Sequence, residues 1–162
     1  MNLLLLEDSD FISANRVILQ GRRLQHLRAV QRVEAGDSLR VGLLDGLMGE
    51  GLITALDEHH AELDVRLDAV VPDKLPLTLL LALPRPKMLK RILQTISAMG
   101  VPRLVLLNSY RVEKSFWQTP FLSPEAIREQ LLLGLEQARD TGEAALSGKV
   151  VESDSARELG LY

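Results

Sequence analysis

The chain contains 162 residues with a formal net charge of -3, and cysteine is absent. Domains commonly run about 50 to 200 residues, so this length allows one core or two modest ones. The lack of cysteine excludes disulfide bonds, thiolate zinc sites and a cysteine nucleophile. No apolar run approaches the roughly 18 residues of a membrane span, and no basic segment precedes the leucines at positions 3–6. We therefore expect a cytoplasmic protein that is not exported and has no membrane partner.

Charge is distributed unevenly along the chain. Residues 1–75 carry 8 basic and 13 acidic side chains, whereas residues 76–142 carry 9 and 5. Residues 143–162 carry 2 basic and 4 acidic side chains. A cationic segment between two acidic ones is expected if one face of the protein binds phosphate.

The N-terminal part predicts short strands interrupted by one basic helix. Residues 16–20 alternate weakly, and residues 22–33 place apolar side chains near helical spacing among four arginines. Asp45-Gly46 predicts a hairpin with a type I′ turn. Further strands are predicted at residues 38–44, 52–56 and 61–67. Several short strands at close spacing indicate a small β-barrel or sandwich.

A proline-rich stretch predicts a domain boundary. Residues 71–76 contain two prolines, which break regular pairing and stiffen the chain. We therefore place one domain at residues 1–72 and a second at residues 76–142, followed by a divergent tail at 143–162. That tail changes in composition to Ala, Ser, Gly and acids.

Residues 77–114 carry the strongest functional signal. They predict a strand at 77–83, a helix and a strand at 104–107, with seven cations and one acid. Open α/β sheets bind ligands in the loops that follow the C-terminal ends of their strands. A polyanionic partner is therefore expected at this edge.

Two helices of the second domain have clear patterns. One carries an apolar stripe of six residues that Gly100 ends, namely Met88, Leu89, Ile92, Leu93, Ile96 and Met99. The other starts at Ser123-Pro124-Glu125, a capping hydroxyl followed by proline and an acid, and its pattern continues to Gly142.

The sequence contains no local catalytic motif. It lacks a phosphate-binding loop, a nucleophile elbow and a His pair at metal-ligand spacing, so no metal site is predicted. His59-His60 falls between two strands, and we interpret it as a solvated turn. His26 lies among arginines, where packing or helix capping is as good an explanation as RNA contact.

Basic residues are the candidates for RNA binding. The alternative for the first helix is a solvated face, and the alternative for the aromatic pair Phe116 and Trp117 is packing that closes a loop rather than base stacking. Residues 85–91 are stronger candidates, because a strand-to-helix turn offers free backbone N–H groups. The candidates are Arg22, Arg23, His26, Arg28, Arg32, Arg85, Lys87, Lys90, Arg91 and Lys114.

A series of motifs over residues 1–142 resembles a known family. The series comprises Arg23-Leu24-Gln25-His26-Leu27-Arg28-Ala29-Val30-Gln31-Arg32, Gly36-Asp37, Asp45-Gly46, Leu83-Pro84-Arg85-Pro86-Lys87, Gln94 with Met99-Gly100-Val101, Asn108-Ser109-Tyr110-Arg111-Val112-Glu113-Lys114 and Glu136-Gln137-Ala138. As a set it resembles the RsmE family of 16S rRNA uridine-N3 methyltransferases, in the SPOUT superfamily. The resemblance implies a mixed α+β and α/β fold: an N-terminal PUA-like RNA-binding β-barrel followed by the first part of an α/β-knot domain.

The resemblance also implies a function. It implies S-adenosylmethionine as cofactor, 16S rRNA or the small ribosomal subunit as partner, a homodimer, and a role in rRNA processing during ribosome biogenesis. Arg111 is the candidate catalytic residue, for orienting the base or a phosphate.

The chain departs from the family pattern at two places. Gln94-Thr95 and Ala98-Met99-Gly100 lack the Lys and Glu usual there, and the glycine-rich segment that builds the cofactor pocket has no counterpart. We therefore assign no cofactor-binding residue, expect truncation after about Gly142, and expect the chain to be inactive alone with apolar, unpaired strand edges. The alternatives are a non-enzymatic RNA-binding module and an interaction domain with solvated basic loops.

Overall fold

The computed structural model describes residues 3–71, 73–74, 76–142 and 149–151. It divides into two compact units. The first consists of residues 1–72 with Arg139–Thr141, and the second of residues 73–138 with 142–162. Each unit has its own core of aliphatic side chains.

The first unit is built on a six-stranded sheet of order β1-β4-β5-β6-β3-β2. Only β1 and β4 pair in parallel; the other neighbours are antiparallel. Because β1 and β2 form the two edges of this order, the PUA-like barrel class stays a prediction. The strands are β1 (Leu4–Leu6), β2 (Phe11–Ser13), β3 (Arg16–Leu19), β4 (Ser38–Leu43), β5 (Met48–Leu56) and β6 (Ala61–Ala69).

The predicted hairpin at Asp45-Gly46 is present between β4 and β5, but its turn type differs. Asp45 has a φ of 56°, whereas Gly46 is not among the residues with positive φ. A type I′ turn needs positive φ at both central residues, so that prediction was wrong. The amide of Gly46 instead donates to the carbonyl of Leu43 at 2.8 Å, and β5 starts earlier than predicted, at Met48.

The predicted basic helix at residues 22–33 is present but irregular. It begins as α1 (Gly21–His26) and continues as one π-helical stretch over Leu27–Gln31. Arg32, with a φ of 52°, then ends the helix in the left-handed conformation. Leu24 and Leu27 are buried in the core of the first unit, which fixes the direction of the polar side of this helix.

The second unit contains a three-stranded parallel sheet of order β7-β8-β9. Its elements are β7 (Thr78–Ala82), α2 (Pro86–Ala98), β8 (Arg103–Leu107), α3 (Pro124–Ala138) and β9 (Lys149–Val151). The predicted strand–helix–strand unit is therefore confirmed. Because β8 pairs with β7 on one side and β9 on the other, the expected unpaired edge is wrong for β8.

The helices α2 and α3 pack closely against each other. Leu89, Leu93 and Ile96 of α2 are buried, whereas Met88 and Met99 at the ends of the predicted stripe are 47% and 73% exposed. The stripe is therefore shorter than predicted, because only the middle turns of α2 face the core.

Two small residues, one on each helix, complete this packing. The hydroxyl of Ser97 donates to the carbonyl of Leu131 at 2.6 Å, and a Cβ placed on Gly134 would lie only 2.4 Å from the carbonyl oxygen of Gln94. The two helix backbones therefore approach closely at Gly134. Helix α3 ends at Ala138 rather than Gly142, because Arg139 adopts a φ of 60°.

Candidate nucleic-acid interface

The C-terminal ends of β7 and β8 meet at one edge of the parallel sheet. Ala82 and Leu107 are register partners, and the amide of Leu83 extends the pairing by donating to the carbonyl of Leu107 at 3.0 Å. The loops that follow the two strands therefore leave the sheet from the same edge. This is the edge at which open α/β sheets bind ligands.

The first of these loops leads directly into α2. Pro86 is the first helical residue, where its missing N–H costs nothing, and Arg85 precedes it in an extended conformation. The amides of Met88 and Leu89 donate to the carbonyl of Arg85 at 2.8 and 3.0 Å. The side chains of Arg85 and Lys87 are exposed and have no ion pair with a described residue.

The second loop carries two more exposed cations. The amide of Val112 donates to the carbonyl of Ser109 at 2.9 Å, so residues 109–112 form a turn with Arg111 near its tip. Lys114 starts a 3-10 helix, Lys114–Gln118. Arg111 and Lys114 are exposed, and neither has an ion pair within the described part of the chain. We call Arg85, Lys87, Arg111 and Lys114 the basic edge.

Lys90 and Arg91, on the following turn of α2, are placed differently from each other. The ammonium of Lys90 lies 4.0 Å from the centroid of the Phe121 ring, a cation–π distance. Lys90 is therefore partly engaged inside the protein. Arg91 is exposed and, among described residues, unpaired.

The aromatic residues Phe116 and Trp117 pack inward. Both are partly buried against the core of the second unit, and the indole N–H of Trp117 donates to the side-chain oxygen of Asn108 at 3.3 Å. This contact closes the loop after β8. Of the two explanations left open by the sequence, the structure favours packing over base stacking for this pair.

Arg23 of α1 is held by the protein itself. Its two terminal nitrogens each donate to Asp10 at 2.6 Å, and one of them also donates to the carbonyl of Leu5 at 2.9 Å. Asp10 is buried, with 8% of its surface exposed, and accepts a further bond from the amide of Glu7 at 2.8 Å. Because its guanidinium is engaged in this network, we do not include Arg23 in the surface proposed to bind RNA.

The other candidates on this helix also differ in whether they interact with the rest of the protein. The Nε2 atom of His26 is buried without a hydrogen-bond partner among the described residues, so His26 presents that atom to the protein interior. Arg22 is exposed and has an interaction within the chain. Arg28 and Arg32 are exposed without an ion pair to a described residue, and Arg28 lines a cavity of about 400 Å³ together with Leu24, Gln25, Ala29 and Glu58.

His59-His60 forms the turn between β5 and β6, as the sequence predicted. The carboxylate of Asp57 accepts from the amides of His60 and His59 at 2.8 and 2.7 Å, and these bonds lower its pKa. The imidazole of His60 lies 3.0 Å from the other oxygen of Asp57. Within the described ranges, no group of three or more His, Asp or Glu is arranged to hold a metal, and no helix is long and apolar enough to span a membrane.

Sequence reasoning missed two features of these surfaces. It did not identify Asp10 as the partner that occupies Arg23, although Asp10 stands in an acidic cluster only 13 positions earlier. It also treated Tyr110 as part of a motif without noticing the ring itself, which is fully exposed. An aromatic residue directly before a cation, in a loop that follows a predicted strand, was the available signal.

Comparison with known sequences identifies the family. A model of the RNA methyltransferase domain family matches residues 71–154. The chain belongs to this family of RNA methyltransferase domains. The matched segment contains the parallel sheet and the basic edge, and it extends past Gly142, where the resemblance was expected to end. The family resemblance inferred from the motifs is thereby confirmed.

A curated relative and two solved structures agree with this assignment. The ribosomal RNA small subunit methyltransferase E of Treponema pallidum is 27% identical over 143 residues, which cover 87% of this chain and 54% of the relative. The chain thus spans about half the length of that relative.

The structural neighbours share the fold. A ribosomal RNA small subunit methyltransferase E from Neisseria gonorrhoeae, bound to S-adenosyl methionine, superposes with a TM-score of 0.65 at 18% identity, covering 93% of this chain and 60% of the other. A probable rRNA-methyltransferase from Porphyromonas gingivalis gives a TM-score of 0.68 at 17% identity, covering 91% and 60%.

Proposed function

We propose that the protein takes part in transferring a methyl group from S-adenosylmethionine to N3 of a uridine in 16S rRNA of the small ribosomal subunit. The observation that carries this proposal is the match of the RNA methyltransferase domain to the unit whose sheet edge presents the basic edge. The names of the relatives from Treponema pallidum and Neisseria gonorrhoeae support rRNA as substrate and S-adenosylmethionine as donor. A cytoplasmic location and a homodimer are proposed on the same resemblance.

The reaction makes physical demands on the RNA side of the site. N3 of uracil carries a proton at neutral pH and is normally paired, so the base must be unpaired and the proton removed as the bond forms. The guanidinium of Arg111 could orient the base and stabilise negative charge that develops on the uracil oxygens. We therefore propose Arg111 as the catalytic residue, which orients the target nucleotide through its base or its phosphate, and the rest of the basic edge as phosphate contacts.

The residues of the basic edge do not suit the cofactor. When bound, S-adenosylmethionine supplies the electrophilic methyl group. We assign no described residue to its pocket, since the four cations of the basic edge suit RNA phosphates better than a positively charged sulfonium. The basic edge therefore serves the acceptor rather than the donor.

The first unit contributes a separate set of candidate contacts. Arg28 and Arg32, and with them Arg22, lie on the polar side of the helix that begins with α1. We propose that they add salt-dependent phosphate contacts, each of which releases counterions from the RNA. Lys90 and Arg91 are proposed to do the same beside the basic edge.

The test is made on the rRNA of the cell that encodes the protein. Disrupting the gene should remove one N3-methyluridine from 16S rRNA, measured by mass spectrometry of nuclease digests and by loss of a reverse-transcription stop, because N3 methylation blocks base pairing. A complementing gene should restore the modification, whereas a gene with Arg111→Ala should not. Unchanged 16S rRNA after disruption would overturn the proposal.

The chain of 162 residues is also proposed to be inactive by itself. Incubation with tritiated S-adenosylmethionine and small ribosomal subunits should then give no labelled RNA. Salt-dependent RNA binding without methylation would support the alternative function, a non-enzymatic RNA-binding module, which the exposed cations of the basic edge also favour. Labelled RNA in this assay would show that the proposed inactivity is wrong.

A further inference from the structure

Tyr110 is unusual among the aromatic residues of the chain. Its side chain is fully exposed, at 101%, whereas the other described aromatic residues are partly buried: Phe11, Phe116, Trp117 and Phe121. A tyrosine ring usually buries most of its apolar area, because exposing it to water is unfavourable. An exposed ring at a ligand-binding edge is therefore a candidate contact surface.

The loop holds Tyr110 in a defined place. The hydrogen bond from the amide of Val112 to the carbonyl of Ser109, at 2.9 Å, closes a turn in which Tyr110 and Arg111 are the two central residues. The loop is anchored on both sides of this turn: Asn108 accepts from Trp117, and Val112 packs against the core. The ring and the guanidinium are thus presented together at the loop tip.

The charges around the ring indicate the kind of ligand. Arg111 is adjacent in sequence, Lys114 follows in the same loop, and Arg85 and Lys87 follow the neighbouring strand at the same edge. The one acid of this loop is Glu113. An aromatic ring among unpaired cations is the combination that binds single-stranded nucleic acid, by stacking a base and neutralising its phosphates.

We propose that Tyr110 stacks on an unpaired base of the RNA while Arg111 and Lys114 contact the flanking phosphates. This inference rests on the proposed function, because it assigns the basic edge to RNA. Stacking would also stabilise an unpaired base, the state that methylation of uracil N3 requires. The ring face provides the contact, so the phenol hydroxyl is not needed.

The test uses the chain of 162 residues and a short single-stranded uridine-rich RNA that contains one 2-aminopurine. Fluorescence of 2-aminopurine is quenched when it stacks, so affinity and stacking are measured in one titration at low salt. Tyr110→Ala should lose about 5- to 100-fold in affinity together with the quenching, as expected for one base–aromatic stack. Tyr110→Phe should keep both.

Matched controls separate stacking from charge and from general damage. Met99→Ala removes another exposed apolar side chain of the same unit, beyond the opposite end of α2, and should change neither signal. Arg111→Ala should weaken binding and its salt dependence while RNA that remains bound is still quenched. An RNA duplex should bind less well than the single strand, because its base faces are covered.

Each outcome decides something. Unchanged affinity and quenching in Tyr110→Ala, or equal binding of duplex and single strand, would overturn the stacking proposal while leaving the methyltransferase proposal intact. Tyr110-dependent quenching with no change in 16S rRNA after gene disruption would support stacking and overturn the methyltransferase proposal. Absence of RNA binding by the unmodified chain would overturn the stacking proposal and the assignment of the basic edge.

Discussion

Arg23 of the first unit and the basic edge of the second unit use their charges in opposite ways. In the first unit, Arg23 is bound to buried Asp10 and so helps to hold the fold together. In the second unit, neutral Ser97 of α2 donates to the carbonyl of Leu131 on α3, and the cations of the basic edge have no ion pair within the described ranges. The basic helix of the first unit and the basic edge of the second unit look alike in sequence. They differ in how many of their cations are left to bind a partner.

The largest effect on stability is expected at Arg23. Arg23→Ala should lower the free energy of unfolding by about 3 kcal/mol, because it leaves the buried Asp10 carboxylate without its partner. Urea denaturation measures this loss. Arg28→Ala on the same helix should change stability by less than about 0.5 kcal/mol. Equal effects of the two substitutions would contradict the structural role assigned to Arg23.

A double variant that also removes Asp10 tests whether the two side chains depend on each other. In Asp10→Ala/Arg23→Ala, no buried charge is left unpaired, so the double variant should be more stable than the sum of the two single losses predicts. Simple additivity in the same urea experiment would show that the two side chains do not depend on each other.

The next largest effect on stability is expected at Gly134, where α2 and α3 approach closely. Gly134→Ala places a Cβ 2.4 Å from the carbonyl oxygen of Gln94, so α2 and α3 must move apart. We expect a loss of about 2 kcal/mol, even though alanine is the better helix former. Glu129→Ala, on the exposed side of α3, is the control and should stay within about 0.5 kcal/mol of the unmodified chain. A stabilised Gly134→Ala variant would contradict the close helix approach.

A third prediction concerns the charges that are free. Arg111→Ala should weaken binding of single-stranded RNA by about 5-fold and reduce the salt slope by about 0.7, without changing stability. Arg103→Ala removes an exposed cation at the opposite end of β8 and is the matched control. Equal losses for both, measured by fluorescence anisotropy over a salt series, would mean that RNA binds without preference for the basic edge.

The smallest effect is expected at the β5–β6 turn. Hydrogen bonds from the backbone amides of His60 and His59 lower the pKa of Asp57 below its ordinary value of 3.8. The stabilisation is therefore present above pH 3.8 and is lost as the pH falls through the lower pKa of the folded state. Asp57→Asn should remove this part of the pH dependence. Identical stability-against-pH curves for the two proteins below pH 5 would contradict it.

Much of the fold followed from local patterns. Ser123-Pro124-Glu125 predicted the start of α3, the apolar stripe predicted α2, and the apolar strands around α2 predicted the strand–helix–strand unit, because caps and periodicity act within a few residues. The ends were less predictable: α3 ends at Ala138 because Arg139 adopts a left-handed conformation, and no glycine in the sequence indicates this end. The turn at Asp45-Gly46 likewise has a type that the dipeptide alone did not decide.

Candidate site residues were predictable as a set but not one by one. The sequence located the basic edge because cations followed two predicted strands, and strand ends of a parallel sheet meet at one edge. It could not distinguish Arg23 from Arg28, because the difference is a contact with Asp10 that forms only when α1 and the short 3-10 helix Asp8–Asp10 come together. It could not separate Trp117 from Tyr110, because inward or outward placement depends on a hydrogen bond to Asn108 and on the turn at Ser109.

The sequence by itself determined the family, the cationic character of residues 76–142 and the order β7, α2, β8 and α3 in the second unit. These properties depend on residue type and spacing, which the chain carries whether folded or not. Only the tertiary structure decided which cations remain free, which aromatic ring is exposed and that β8 is a central strand. Those properties depend on partners distant in sequence, since an ion pair or a buried ring exists only where folding has brought two segments together.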